Sequence, residues 1–423
     1  MRPTSLCRVL LLFIAILMTD GSEVAWGQAA GDSSFVTISG VVKDRQTRKR
    51  LEYVNISVPG TSVGTITNND GEFTIKVANF LRARQVEVSH VGYLNSLIPL
   101  VKGDIEGVEV MLEPNTNTLD EVIVRAGEPR RIVEQAIMRI GSNYLSTGSK
   151  LTGFYRETAQ KGRRYVDISE AVIEIYKSSY ARRDVHRDRV SISKGRRLLS
   201  QRAKDTLAVK MLGGPNLSVY VDAVKNPDLL LDPEVMQYYS YRMEESVMID
   251  ERPQYVISFQ PAAVLPYALY YGKLYIDKER LSFSRMEFFL SMDDRQKATE
   301  AILRRKPLGL RFKPIDVAFL VTYKERDGIS YLSYIRNTVR FKCDWKRRLF
   351  STNYTMVSEM VVTDGVMQDE SIPYRMSFKP NQALSDRVND FSDPDFWGAY
   401  NIIEPTESLE NAVHKLKKIK ERD

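Results

Sequence analysis

Histidine and cysteine are scarce in this chain, with three and two among 423 residues. His90, His186 and His414 are isolated from one another, and no HExxH or HxxE pair occurs, so a zinc hydrolase has no ligand set to draw on. Cys7 precedes the first apolar run, whereas a bacterial lipoprotein cysteine would follow it. Cys343 alone closes no internal disulfide and reads as a small buried hydrophobe. Long apolar runs are also missing: Leu10 to Met18 is about half of what a membrane-crossing helix needs. No serine sits in Gly-x-Ser-x-Gly, and Gly213-Gly214-Pro215-Asn216 lacks the Gly-Lys-Ser/Thr ending of a phosphate loop. Neither sign of charge dominates. Lys+Arg 61 against Asp+Glu 54 gives +7, a lean toward anionic surfaces that does not demand nucleic acid.

What is present begins with an address. Arg2 and Arg8, the apolar run and the small residues of Ala25-Trp26-Gly27 form a secretory signal over residues 1–27, with a cut before Gln28. The expected location is the periplasm or the outer membrane. From residue 35 to 114, short alternating runs recur at the spacing of a β-sandwich: Val36 and Ile38, Val54, Ile56 and Val58, Phe73, Ile75 and Val77, Val86 and Val88, Val108, Val110 and Leu112. Asn68-Asn69-Asp70-Gly71 is the strongest short hairpin signal. A turn is also the expected role of Asn68, Asp70 and Glu72, which lack the oxygen set of a calcium loop.

The run Ile38 to Asp44, then Pro59-Gly60-Thr61, Thr67 to Phe73 and Val88 to Tyr93, resembles the carboxypeptidase-regulatory-like domain. The resemblance implies a transthyretin-like β-sandwich without a peptidase zinc site, of a kind common in exported Bacteroidetes proteins and at the N-termini of TonB-dependent receptors. Leu119 to Val124, in a linker over 115–128, is similar to the stretch that leads from this domain into a receptor plug. Here a helix follows instead, with Ile132, Val133, Ala136, Ile137, Ile140 and Tyr144 on one face.

Residues 129–405 then return to β-patterned runs with Asp327-Gly328 as a clean hairpin, which predicts a large antiparallel sheet or half-barrel with a few helices. Gly272 to Asp277 and Phe283 to Glu287 resemble the periplasmic lipoprotein-carrier half-barrels over about a dozen residues. Gly153-Phe154-Tyr155-Arg156-Glu157, Asp222 to Pro227, Phe396-Trp397 and Tyr400 to Pro405 resemble exported Bacteroidetes proteins that carry the same N-terminal domain. Residues 406–423 read as a basic amphipathic helix with Leu409, Ala412, Val413 and Leu416 on one face. The fold class is mainly β, α+β overall.

No catalytic, cofactor or metal residue is nominated, and carboxypeptidase activity is not expected. The densest cationic stretch runs from Arg182 to Lys204. Within it Arg182, Arg183, Arg187, Arg189, Arg196 and Arg197 form a candidate anion-facing surface, with solvated loops and one charged strand face as the alternative. On that reading, exchanging Arg196 and Arg197 for serine leaves the thermal midpoint nearly unchanged. The partners open to an exported chain are an envelope protein, an anionic lipid headgroup at a peripheral membrane contact, or an acidic glycan. The function expected is non-catalytic binding or scaffolding in the envelope, tied to outer-membrane assembly or nutrient uptake. The alternative is a periplasmic half-barrel carrier of a lipid or acyl group, which needs a concave apolar cavity.

Overall fold

Alternation builds the first unit. In β1 (Phe35–Asp44) and β4 (Glu72–Ala78) the side chains of Ile38, Val42, Phe73, Ile75 and Val77 are buried, while Thr74 and Lys76 point the other way. β1 pairs antiparallel with β4 and parallel with β7 (Ile105–Leu112). A second sheet, in the order β3-β2-β5-β6, closes over it from β2 (Asn55–Ser57), β3 (Gly64–Ile66), β5 (Gln85–Ser89) and β6 (Ser96–Pro99). Ile56, Val88 and Leu112 join the buried residues above in one core.

The Asn68–Gly71 turn differs from expectation. β3 and β4 belong to different sheets, so the turn is a corner between layers and not a hairpin. Asn68 Oδ1 accepts from the N–H groups of Asp70 (2.8 Å) and Glu72 (2.9 Å), which bends the chain out of the second sheet and into the first. Gly71, at φ +71°, then backs onto β1, where a Cβ would stand 3.0 Å from Val42 O. The close approach, as well as the dihedral, requires glycine.

The computed structural model describes residues 35–115, 128–200, 213–303, 310–345, 351–366, 369–390 and 396–420. The leader at 1–27, the expected strand Leu119–Val124 with most of its linker, and the cations Arg202 and Lys204 lie outside them. In the second unit β8 (Ser149–Lys161), β9 (Arg164–Lys177) and β10 (Arg189–Leu199) form one antiparallel run. A meander follows from β11 (Tyr239–Ile249), β12 (Arg252–Pro261), β13 (Tyr270–Asp277) and β14 (Phe283–Leu290) to β15 (Leu310–Arg326), β16 (Ile329–Trp345) and β17 (Thr352–Val366). β17 returns to pair with β8, and β18 (Asn389–Asp390) adds a short parallel pairing on β10, giving one sheet of eleven strands. Asp327 and Gly328, both at positive φ, join β15 to β16 by the tight turn that the twist of long strands favours.

The inner face of this sheet is covered by the chain itself, and the outer face in part. The expected helix appears as α1 (Glu128–Met138) and α2 (Ile140–Asn143), and Ile132, Val133, Ala136, Ile140 and Tyr144 pack on Tyr155, Ile173, Ile335 and Met360. α3 (Pro215–Tyr220) and α4 (Pro233–Met236) bring Val219, Val224, Leu230 and Met236 into the same core. Gly213 and Gly214 lead into α3 at positive φ, so this Gly-Gly-Pro is a helix entry. Beyond α5 (Arg295–Ile302), capped by Asp294, the chain ends in α6 (Glu407–Lys420), whose Leu409 and Leu416 pack against Ile168 and Leu198 on the opposite face.

Candidate functional site

Because strand side chains alternate, residues two apart along β8, β9, β10, β16 and β17 form successive rows on the outer face of the sheet. One row runs Val172–Phe154–Val361–Tyr334, each residue directly opposite the next. Trp397, Ile403 and Ile66 of the sandwich close over it. The next row is charged: Arg196–Glu170–Arg156–Glu359–Arg336, again in direct register across five strands. Arg156 Nε lies 2.7 Å from Glu170 Oε1, Arg196 Nε 2.9 Å from Glu170 Oε2, and Arg336 Nη1 2.7 Å from Glu359 Oε2. Arg156 Nη2 also donates to Ile403 O at 2.8 Å, and the Arg196 guanidinium stacks 4.8 Å from the Trp397 ring centroid. Burial alone would push the Glu170 carboxyl up, yet Arg156 and Arg196 together hold it below the usual carboxylate range.

The segment 396–405 therefore acts as a clasp between sandwich and sheet. Asn401 Oδ1 accepts from Lys76 N (2.7 Å) and Asn401 Nδ2 donates to Lys76 O (3.1 Å), which caps the open edge of β4. Thr65 Oγ1 donates to Ile402 O (2.8 Å), and Asn68 Nδ2 donates to Pro405 O (3.1 Å). Away from the clasp, Gly92 N donates to Met248 O (2.8 Å) and Ser62 Oγ to Asp364 Oδ1 (3.0 Å). The conspicuous sequence stretches at 153–157 and 396–405 are the two sides of this joint.

A second buried polar group sits where β9 ends. Lys177 Nζ contacts Asp188 Oδ2 (2.6 Å) and Asp222 Oδ2 (2.8 Å), and all three side chains are shut off from solvent. The hydroxyls of Tyr180 and Tyr323 each donate to Asp222 at 2.7 Å, and Lys225 Nζ donates to Ser178 O at 2.9 Å. Burial pushes the Lys225 ammonium down to about 8, while Asp188 and Asp222 raise Lys177 against the same penalty. The Asp222 to Pro227 stretch is thus an internal anchor for the chain that follows α3.

On the inner face Glu157 faces Ser169 and Ser358, and its Oε2 accepts from Tyr155 OH at 2.9 Å. Burial first, then the nearby Asp167 with Asp386 beyond it, pushes its carboxyl from 4.5 up to about 8. The folded state holds an extra proton between those two values, so stability falls as pH rises through that window. Glu157→Gln is expected to raise the thermal midpoint at pH 8, with a gain that shrinks toward pH 5. A gain of equal size at both pH values would show that Glu157 binds no extra proton.

The six arginines of the candidate anion-facing surface are not brought together. Arg182 and Arg187 are exposed, the latter 3.7 Å from Asp184. Arg183 is half-buried and donates to Val224 O and Leu231 O. Arg189 donates to His186 O and Asp188 O, and Arg197 to Ser385 O. Arg196 belongs to the charged row. Serine at 196 would leave Glu170 with one cation fewer at a buried site, so the expectation of an unchanged thermal midpoint is replaced by one of a clear loss. Periodicity could not reveal this, because a charged residue facing another charged strand looks the same as one facing water.

Two cations that do line open space are Lys194 and Arg387, in a cleft of about 380 Å³ between the edge of β10 and the chain at 376–389. Lys194 belongs to the cationic stretch, whereas Arg387 carried no signal in the sequence. Among the described residues no three His, Cys, Asp or Glu side chains gather as a metal-holding group. His90 is half-buried, and its desolvation, with Arg285 nearby, lowers its pKa to about 4.

Residues 38–124 match the CarboxypepD_reg-like domain family. Over 92 residues the chain is 36% identical to the TonB-dependent receptor SusC of Bacteroides thetaiotaomicron, a match covering 21% of this chain and 8% of the receptor. Among solved structures, a DUF1329 family protein from Desulfovibrio piger aligns with 55% of this chain and 93% of its own, at 12% identity and a TM-score of 0.22. A LolA superfamily protein from Nitrosomonas europaea aligns with 60% of this chain and 99% of its own, at 11% identity and a TM-score of 0.18. At those scores neither structure supports an argument about this one.

Proposed function

We propose that this chain, which carries a carboxypeptidase-regulatory-like domain at 38–124, is a non-catalytic binding and scaffolding protein of the bacterial envelope. The observation that carries the reading is that, among the described residues, the apolar inner face of the large sheet is filled by the chain itself. α1 to α4 pack on it with Val133, Ile140, Val224 and Met236, while the sandwich, clasp and α6 cover the outer face around β8, β9, β10, β16 and β17, and Arg242, Tyr271 and Lys273 leave it polar and exposed elsewhere. A carrier of a lipid or acyl group needs a concave apolar lining, and here that lining is occupied by the chain's own side chains. The regulatory-like domain is a non-catalytic module, and the buried ionic groups are internally paired, so recognition falls to the exposed surface. The leader expected at 1–27 and the likeness of the sandwich to part of a TonB-dependent receptor support a place in the periplasm or at the outer membrane, with outer-membrane assembly or nutrient uptake as the setting.

The test is native mass spectrometry of the mature chain extracted gently from envelopes, with capture of cross-linked neighbours. A lipid-free mass together with a reproducible envelope-protein neighbour is the expected result. One lipid per chain would establish the carrier reading in its place.

A further inference from the structure

The outer edge of β10 is held at two places. Phe378 N donates to Val190 O at 2.7 Å, and β18 pairs at Arg196 and Arg197. Between them the strand borders the cleft of about 380 Å³, a size within the range of small-ligand sites. Its floor contains a bulge. Ile192 pairs with Ile173 and Lys194 with Val172, which leaves Ser193 without a partner on β9. Such an extra residue bends a strand and re-aims the side chains beside it. Gly195 lets the far wall come close, since a Cβ there would meet Val388 Cγ1 at 2.4 Å. Lys194 and Arg387 supply two positive charges, Ser193 and Asn389 supply neutral polar groups, and the Phe396 ring lies 4.4 Å from the Lys194 ammonium.

We propose that this cleft binds an acidic saccharide, with the oxyanion between Lys194 and Arg387, the sugar ring against Phe396 and its hydroxyls on Ser193 and Asn389. Two donors of full charge suit a carboxylate or sulfate, because charge-assisted hydrogen bonds are the strong ones. An aromatic face beside polar groups suits a ring that is apolar on one side and hydroxylated on the other. A lipid headgroup fits less well, since the cleft walls are mainly polar and the apolar interior next to it is already filled by α1 to α4.

This assignment rests on the binding reading and is tested separately from it. Titration calorimetry on the mature full-length chain uses trigalacturonate and a sulfated heparin disaccharide, with maltotriose, inorganic sulfate and phosphatidylglycerol vesicles as comparisons. At least one of the two acidic saccharides is expected to bind, more weakly as salt rises, and maltotriose is not. Lys194→Gln with Arg387→Gln should weaken binding about tenfold or more. Arg182→Ser with Arg187→Ser, which removes the same charge outside the cleft, should leave affinity unchanged. Equal losses in the two double variants, sulfate binding as tightly as the saccharide, or binding to vesicles but to neither saccharide would each overturn the assignment. So would silence from both acidic saccharides. If the envelope neighbour is still captured in that case, the scaffold reading survives; a stoichiometric lipid would remove it whatever the saccharides do.

Discussion

Replacing Arg156 with methionine is expected to destabilise the protein by about 3–5 kcal/mol, the cost of removing one partner from a buried ionic group. Arg156 stands between Glu170 and Glu359, and its side chain is only 4% exposed. Without it, Glu170 keeps Arg196 and Glu359 keeps Arg336, but each carboxylate loses its inner neighbour in a place that water does not reach. The donor to Ile403 O is lost too, so the clasp loosens together with the sheet. Arg156→Lys should cost less, since it keeps the charge and gives up only the forked geometry that spans two carboxylates and a carbonyl. Urea unfolding followed by far-UV circular dichroism measures both, and a loss below about 1 kcal/mol for the methionine variant would mean that water reaches the row.

Lys177→Met should be comparably severe. It strands Asp188 and Asp222 around an uncharged side chain at the foot of β9, where both carboxylates are fully buried. Adding Asp188→Asn should recover part of the loss, because one of the two stranded charges is gone. A deficit that the second change leaves untouched would assign the damage to packing.

Much of the fold was legible before any coordinates. Period-two alternation located the strands of the sandwich and most of the large sheet, because one face of each is buried and the pattern records which. The stripe from Ile132 to Tyr144 marked a core-facing helix, and Leu409 with Leu416 marked the last one, for the same reason at the period of 3.6. Asp327-Gly328 announced its hairpin through a dihedral requirement local to two residues. Asn68 to Gly71 satisfied the same local rule and made a corner instead, since the sheet that the next strand joins is chosen by packing on β1 and not by the turn.

The candidate sites were legible only as stretches. Gly153 to Glu157, Asp222 to Pro227 and Phe396 to Pro405 stood out as strings, yet nothing in them says that Arg156 meets Glu170 and Glu359, that Asp222 meets Lys177, or that Asn401 caps β4. Those partners lie tens to hundreds of residues away. What the sequence by itself determined is the sandwich family and the β-rich class, because each depends on neighbours along the chain. Only the tertiary structure decided that β17 returns to β8, that Arg196 is held in the buried charged row while Lys194 and Arg387 line a cleft, and that the inner face of the sheet is filled. The physical reason is that a charge has no fixed role until its surroundings are set: the same arginine is solvated, paired or available to a ligand according to which strand lies opposite, and strand order is settled by the burial of the whole sheet.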